Sequence, residues 1–243
     1  MTNPLKLLQL LKLLDLTRLT ETDSGSDIAK WLDAIPQLPT PVAALCVYPA
    51  FLTQTKAYIT QYLPGADLAT VVNFPGGTQP LAEVLNDISH AIAAGATEID
   101  CVLPYQQLMA GDEQGVAQFL AAVRQATPNI CLKIIIESGE LLTAQQVAKA
   151  SELVIASGAD FVKTSTGKVP VGCTLEAARI ILTSIAAANH PVGFKASGGV
   201  KSVEQALQLV NMYEEITGKT AIKQGMRIGA SSLLTDVLAL LPR

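Results

Sequence analysis

The sequence predicts an α/β protein, a single (β/α)8 barrel with an extra N-terminal helix. Three observations predict it. Short apolar runs centred near Leu45, Val71, Cys101, Ile135, Val162, Phe194 and Arg227 recur at intervals of 26 to 34 residues, the span of one strand–helix unit. Runs such as Ala69-Thr70-Val71-Val72 and Lys133-Ile134-Ile135-Ile136 are apolar on both parities or nearly so, as parallel strands covered on both faces are. The stretches between them carry helical periodicity and helix-end signals. A weaker run, Leu14-Asp15-Leu16-Thr17, supplies the eighth strand, and eight such units in 243 residues make the size of a TIM barrel.

Taken in order, the chain opens on a leucine-rich run, Leu7 to Leu14. Lys6 and Lys12 break it, and Asp15 follows with no small-residue cleavage site. It reads as an amphipathic helix and not as a signal peptide. No run reaches the roughly 18 uncharged apolar residues of a membrane span. Val84, Ile88, Ala91 and Ile92 share one helical face, and Gly95 stands where a helix-closing glycine belongs. Thr143 with Gln146 reads as a capping box. The helix it opens carries Val147, Ala150 and Val154 on one face and closes at Gly158. Ser202 with Gln205 repeats the box. An open doubly wound sheet would need a glycine-rich fingerprint directly after its first strand, and nothing near Thr17 or Tyr48 supplies one. With no linker and no shift in composition, residues 1–243 are expected to form one domain.

Hydrophobic residues make up 49% of the chain and the mean hydropathy is +0.36, ample for a core. A net charge of −4, with no basic patch, argues against a nucleic-acid partner. Cys46, Cys101, Cys131 and Cys173 are scattered without a C-x-x-C pair and read as core thiols. The two histidines, His90 and His190, fall in or near the ends of helical stretches. Neither a metal centre nor a Ser-His-Asp arrangement is expected from them.

Barrels act at the C-terminal ends of their strands. The polar residues in or just after the predicted strands are Asp15, Thr17, Asn73, Asp100, Lys133, Glu137, Lys163, Thr166, Lys168, Lys195, Ser197, Ser231 and Ser232. Only 16% of the chain is charged, so their concentration in its most apolar segments is high. Lys163, in Phe-Val-Lys-Thr, and Lys195, in Gly-Phe-Lys-Ala, end the sixth and seventh strands, which should be neighbours. Burial and a neighbouring ammonium both disfavour a lysine's charge. A lysine brought down from about 10.4 toward neutrality can attack a carbonyl. Asp100, on the fourth strand, is the candidate to move protons at an iminium, directly or through a water; serving as counter-ion to Lys133, Lys163 or Lys195 is equally compatible with its position. Gly198-Gly199 follows strand seven, and Gly229-Ala230-Ser231-Ser232 leads from strand eight into a helix. Those two loops are where barrels commonly hold a phosphate, on free backbone N–H groups and a helix N-terminus. Gly167-Lys168 stands nearby.

These residues resemble the 2-deoxyribose-5-phosphate aldolase family. The matching motifs are Asp15-Leu16-Thr17, Cys46-Val47-Tyr48-Pro49, Asn73-Phe74-Pro75, Glu98-Ile99-Asp100, Leu132-Lys133-Ile134-Ile135-Ile136-Glu137, Lys163-Thr164-Ser165-Thr166-Gly167-Lys168, Gly193-Phe194-Lys195 with Gly198-Gly199-Val200, and Arg227-Ile228-Gly229-Ala230-Ser231-Ser232. They run in order over nearly the whole chain. The resemblance implies reversible cleavage of 2-deoxy-D-ribose 5-phosphate to D-glyceraldehyde 3-phosphate and acetaldehyde, in deoxyribonucleoside catabolism. It makes Lys163 the Schiff-base lysine, Lys195 the group that lowers its pKa, and Asp100 the proton relay. Gly167, Lys168, Gly198, Gly199, Gly229, Ser231 and Ser232 would surround the phosphate. Asp15, Thr17, Lys133 and Thr166 would line the substrate pocket. It implies no cofactor, a cytoplasmic location, and a homodimer or homotetramer. The chain departs from the pattern at Ala196-Ser197, where Pro-Ala is familiar, and at Lys201, where arginine is. Its last tyrosine is Tyr213, so proton transfer assisted by a C-terminal tail tyrosine, as in some members, is not expected.

Two other kinds of function fit the same barrel, another phosphosugar enzyme and a binding protein. A phosphosugar isomerase would keep the phosphate loops and use Asp100 or Glu137 as base, while a transaldolase-like enzyme would form its imine with a ketose. A non-catalytic phosphosugar-binding protein would tolerate Lys163→Met. The lysine pair and the ordered motifs place the aldolase ahead of both.

Overall fold

The computed structural model describes residues 3–242. Eight parallel strands close into a barrel, each hydrogen-bonded to its neighbours in chain order. They are β1 (Leu14–Arg18), β2 (Ala44–Val47), β3 (Asp67–Val72), β4 (Glu98–Val102), β5 (Cys131–Ile135), β6 (Phe161–Lys163), β7 (Gly193–Ser197) and β8 (Met226–Ala230). All eight predicted strands are present, including the weak first one. Around them stand α1 (Pro4–Leu13), α2 (Gly25–Asp33), α3 (Leu52–Tyr62), α4 (Leu81–Ala93), a short α5 (Tyr105–Met109), α6 (Glu113–Ala126), α7 (Ala144–Ala156), α8 (Leu175–Ala186), α9 (Val203–Thr217) and α10 (Leu233–Leu240).

The leucine-rich start is the extra helix α1. Asn3 caps it by accepting from the Leu5 N–H at 2.9 Å. Leu7, Leu10, Leu11 and Leu13 are fully buried on the side that faces α9, α10 and β8, while Lys6 pairs with Glu214 at 2.7 Å. The two predicted capping boxes form in shifted versions. Thr143 and Ser202 each accept from the N3 backbone, on Gln146 and Gln205. Each glutamine reaches one residue further back than expected, to the N–H of Leu142 and of Lys201. Glutamine's longer side chain spans that extra residue. A reciprocal box stands instead at Ser24 and Asp27 of α2. Gly95 ends α4 in a Schellman turn, with Ala96 N donating to Ala91 O and Gly95 N to Ile92 O.

The register decides what meets inside the barrel. Side chains two apart on a strand share a face. Glu98 and Asp100, Phe161 and Lys163, Gly193, Lys195 and Ser197, and Arg227 and Gly229 therefore all point inward. The pairing sets Lys163 beside Lys195, Lys195 beside Arg227, and Asp100 beside Lys133. The opposite wall is apolar, with Ala44, Cys46, Ala69 and Val71 forming their own buried cluster against Tyr48 and Phe74. The main hydrophobic core lies outside the strands, under the helices. The lumen is left as a half-charged, half-apolar interior.

Candidate active site

Lys133, Lys195 and Arg227 bring three cations into the lumen, and Lys163 is a potential fourth. Asp15, Glu98 and Asp100 bring three carboxylates, and all seven residues are 0–3% exposed. Buried charges hold only when paired, and the pairing here is layered. At the bottom, Arg227 bonds Glu98 at 2.6 Å and Asp15 at 2.7 Å. It also stands 5.6 Å over the Phe161 ring. In the middle, Lys133 bonds Glu98 at 2.5 Å and Asp100 at 3.0 Å. Above them, Asp100 Oδ2 accepts from both Lys163 and Lys195, each at 2.7 Å. The two lysine nitrogens therefore lie no further apart than twice that distance. Lys195 Nζ is also 2.5 Å from Asp15 Oδ2, a charge contact whose angles do not make a hydrogen bond.

With Lys163 charged, the cations outnumber the carboxylates by one, and Lys163 is the member whose charge is disfavoured. Burial is the largest influence on its ammonium. Asp100 opposes that influence, Lys195 adds to it, and the balance lowers the pKa. For Lys195 burial is outweighed by Asp100 and Asp15, so its pKa rises and it stays charged. Lys133 rises well above its usual value for the same reason, with Asp100 and Glu98 as partners. Burial alone would raise Asp100, but Lys133, Lys163 and Lys195 hold it well below the ordinary carboxylate range. The two lysines are thus not equivalent: their surroundings favour the charged form of Lys195 and disfavour that of Lys163. The nearby Cys46 thiol is pushed up to about 11 by burial, so it stays protonated at neutral pH. All four cysteines are free.

Glycine makes room for this packing. A Cβ on Gly229 would lie 3.0 Å from Ser197 Cβ and 3.3 Å from Lys195 Cε, so a side chain there would crowd the Lys195 stem. Gly198 has φ +77°, and a Cβ on it would come within 3.1 Å of Ser165 Cβ, so a left-handed turn and a close loop contact both call for glycine. The ends of β6 and β7 are also zipped by side chains: Thr164 Oγ1 donates to Ser197 O at 2.9 Å, and Ser197 Oγ donates to Ser165 O.

Lys163 lies on the floor of a cavity of about 530 Å3 at the C-terminal ends of the strands. Thr17 lines it, as do Thr166, Gly167 and Lys168 after β6, Ser197, Gly198 and Gly199 after β7, and Gly229, Ser231 and Ser232 after β8. The loops predicted to surround an anion do converge on one wall, and Ser232 is the N-cap of α10. Lys168 has a different posture from a free phosphate ligand: its ammonium donates to Leu19 O at 2.7 Å, tying one loop across the mouth to another. Asp15 and Lys133, expected on the pocket wall, lie beneath it with no exposed surface, because Arg227, Glu98, Asp100 and Lys195 occupy their polar atoms. Arg18, Leu19 and Thr20 line the mouth without having been singled out; Arg18 is held by Asp23 through two bonds at 2.6 and 2.7 Å. Glu98 and Arg227, both within the sequence motifs, hold the lower layer of charges together. Their spacing of two from Asp100 and Gly229 was the signal that they face inward.

A larger cavity, about 780 Å3, opens at the other end of the barrel. Its Lys6 is bonded to Glu214, and its Lys223 to Asp67 at 3.1 Å. None of the lumen lysines lines it, whereas Lys163 lines the smaller one. Among the described residues no group of His, Cys, Asp and Glu could hold a metal ion, and no helix is long and apolar enough to cross a membrane.

Arg227→Met is expected to destabilise the fold by about 3–5 kcal/mol, since Glu98 and Asp15 would keep buried charges without their partner. A urea titration monitored by circular dichroism measures this. A loss under about 1 kcal/mol would mean that the lower layer is not held by this fork.

Comparison with known proteins agrees with this fold. Residues 10–236 match the DeoC/LacD family aldolase description. The chain is 44% identical over 237 residues to a deoxyribose-phosphate aldolase of Agrobacterium fabrum, covering 95% of this chain and 90% of that protein. A crystal structure from Coccidioides immitis, described as a candidate deoxyribose-phosphate aldolase, superposes with a TM-score of 0.84 at 26% identity, over 96% of this chain and 86% of the other. A tetrameric deoxyribose phosphate aldolase from Aeropyrum pernix shares the fold, with a TM-score of 0.77 at 23% identity over 98% and 91% of the two chains. With the match spanning nearly every strand and helix that builds the lysine-floored cavity, the chain belongs to the DeoC/LacD family of aldolases.

Proposed function

We propose that the chain is a class I aldolase that reversibly cleaves 2-deoxy-D-ribose 5-phosphate to D-glyceraldehyde 3-phosphate and acetaldehyde through an imine on Lys163. The observation that carries this is the inequality of the two lumen lysines. Lys163 alone is lowered, is in the cavity wall, and shares Asp100 with an ammonium that stays charged.

The steps follow from that arrangement. The neutral Lys163 amine attacks the sugar's aldehyde carbon, and loss of water with uptake of one proton, returned at the final hydrolysis, leaves an iminium. That iminium adds a positive charge where Lys163 Nζ meets Asp100 Oδ2, and the carboxylate stabilises it there. The hydroxyl on the third carbon gives up its proton, and the bond between the second and third carbons breaks. Its electron pair passes into the iminium to form an enamine, and glyceraldehyde 3-phosphate leaves. Protonation of the enamine at its terminal carbon and hydrolysis release acetaldehyde and the amine. Asp100, held as a carboxylate, is suited to accept these protons directly or through a water and to return them at once. No step calls for a metal or organic cofactor. The phosphate would rest on the N-terminus of α10 and the loops after β6 and β7. The reaction belongs to deoxyribose phosphate catabolism in the cytoplasm, and a homodimer or homotetramer is the assembly we expect.

Borohydride reduction in the presence of acetaldehyde tests the reading. An ethyl group on the Lys163 peptide is the expected product, and an adduct elsewhere, or none, would sink the mechanism. Ser232→Asp is expected to weaken the phosphorylated sugar by about 100-fold in KM, since it sets a like charge at the helix N-terminus. Unphosphorylated 2-deoxyribose should be nearly unaffected. Equal losses on both sugars would move the phosphate elsewhere.

A further inference from the structure

Glu137 is a buried carboxylate that the reaction above does not use. It follows β5 with φ +51°, a left-handed backbone that a glutamate seldom adopts. Such an outlier points to a use for the side chain that requires it. Its carboxylate has no exposed surface and is spent on a single residue. Thr166 Oγ1 donates to Glu137 Oε2 at 2.5 Å, and the Thr166 N–H donates to both carboxylate oxygens at 3.2 and 3.3 Å. The same Thr166 oxygen then accepts from the Lys168 N–H at 3.0 Å. The chain Glu137, Thr166, Lys168 therefore fixes the peptide units on either side of Gly167, which form one wall of the cavity. Neighbouring bonds hold the clamp itself: Ser138 N donates to Thr164 O at 2.8 Å, and Glu140 N to Glu137 O at 2.9 Å.

We propose that Glu137 is a positioning residue for the phosphate end of the substrate, holding the Thr166-Gly167-Lys168 loop in its binding shape before the ligand arrives. A loop ordered in advance does not have to be ordered on binding, so the gain is in affinity. The proposal rests on the aldolase reading for its substrate, but its geometry concerns an oxyanion of any phosphate. Glu137 lies one strand away from the phosphate wall and touches it only through Thr166, so its effect is confined to that end of the cavity.

The test compares E137A and E137Q with the parent protein in three assays: cleavage of 2-deoxyribose 5-phosphate, cleavage of 2-deoxyribose, and calorimetric binding of inorganic phosphate. E137A should raise KM for the phosphorylated sugar, and the dissociation constant for inorganic phosphate, by about 10- to 100-fold, the worth of a hydrogen bond to a charged group. Its kcat/KM for 2-deoxyribose should stay within about twofold, and borohydride trapping of acetaldehyde on Lys163 should be unchanged, which also shows that the variant folds. E137Q keeps an acceptor oxygen and should recover most of the affinity. Equal losses on both sugars would overturn the proposal in favour of a general structural or proton-transfer role, and an unaltered affinity for inorganic phosphate would overturn it outright. Failure of the parent protein to trap acetaldehyde is a different result: it would remove the aldolase reading and leave the phosphate measurement to decide on Glu137.

Discussion

Lys163→Arg is expected to abolish turnover, by about four to six orders of magnitude, the loss typical of removing a covalent nucleophile. A guanidinium remains protonated at any pH the enzyme survives and has no free lone pair to offer a carbonyl. Its charge can still meet Asp100, so the fold should persist, and the borohydride adduct with acetaldehyde should vanish with the activity. Lys163→Met separates the two roles further. The lumen holds three carboxylates against Lys133, Lys195, Arg227 and the potential cation Lys163. Lys163 is the member whose charge burial and Lys195 disfavour. Removing it leaves the remaining charges equal in number, so the melting temperature of Lys163→Met should match or exceed that of the parent while turnover is lost. Such an exchange of stability for activity marks a residue kept for chemistry. Residual kcat within about 100-fold of the parent in either variant, or an adduct that persists, would take the nucleophile's role from Lys163.

Much of this arrangement is legible in the sequence, and the reason lies in the strand period. Once Phe161-Val162-Lys163 and Gly193-Phe194-Lys195 are read as adjacent parallel strands, their lysines must end at the same height, and the register sets them side by side. The first strand, β1, is weak as a sequence signal because Asp15 and Thr17 face the lumen charges, leaving only Leu14 and Leu16 to mark it. What sequence could not give was the sharing of partners. Asp100 stands within reach of three lysines, whereas Asp15 and Lys133 sink below the cavity because Arg227 and Glu98 draw them down. Those choices depend on side-chain height in the closed barrel, which no spacing rule contains. Lys168 illustrates the same limit: its place after Gly167 puts it beside the cavity, but the Leu19 carbonyl that captures its ammonium comes from the far end of the chain. The Glu137 clamp was hidden for another reason, since the left-handed turn that aims the carboxylate at Thr166 breaks the alternation on which the reading relied.

Lys195→Leu is expected to move the acidic limb of the kcat/KM profile to higher pH. Lys163 must be a free amine to react, so the limb follows its pKa. Burial lowers that pKa, Asp100 raises it, and the Lys195 ammonium lowers it. Leucine preserves the burial, removes the opposing ammonium, and frees Asp100 Oδ2 to bond Lys163 alone. Both changes favour the protonated form, so the pKa rises. Below the displaced limb the rate should fall about tenfold for each pH unit it has moved. At high pH the variant should recover toward the parent, short of any loss from altered packing. Lys195→Arg keeps a cation beside Asp15 and Asp100 and should leave the limb near its original position. Leucine also deprives those two carboxylates of a buried partner, at about 3–5 kcal/mol of stability, so the profile is to be recorded below the variant's own melting transition. A residue that only supported the fold would depress the rate equally at every pH. A limb that stays in place while the rate falls uniformly would thus confine Lys195 to structure, and the lowering of Lys163 would then rest on burial alone.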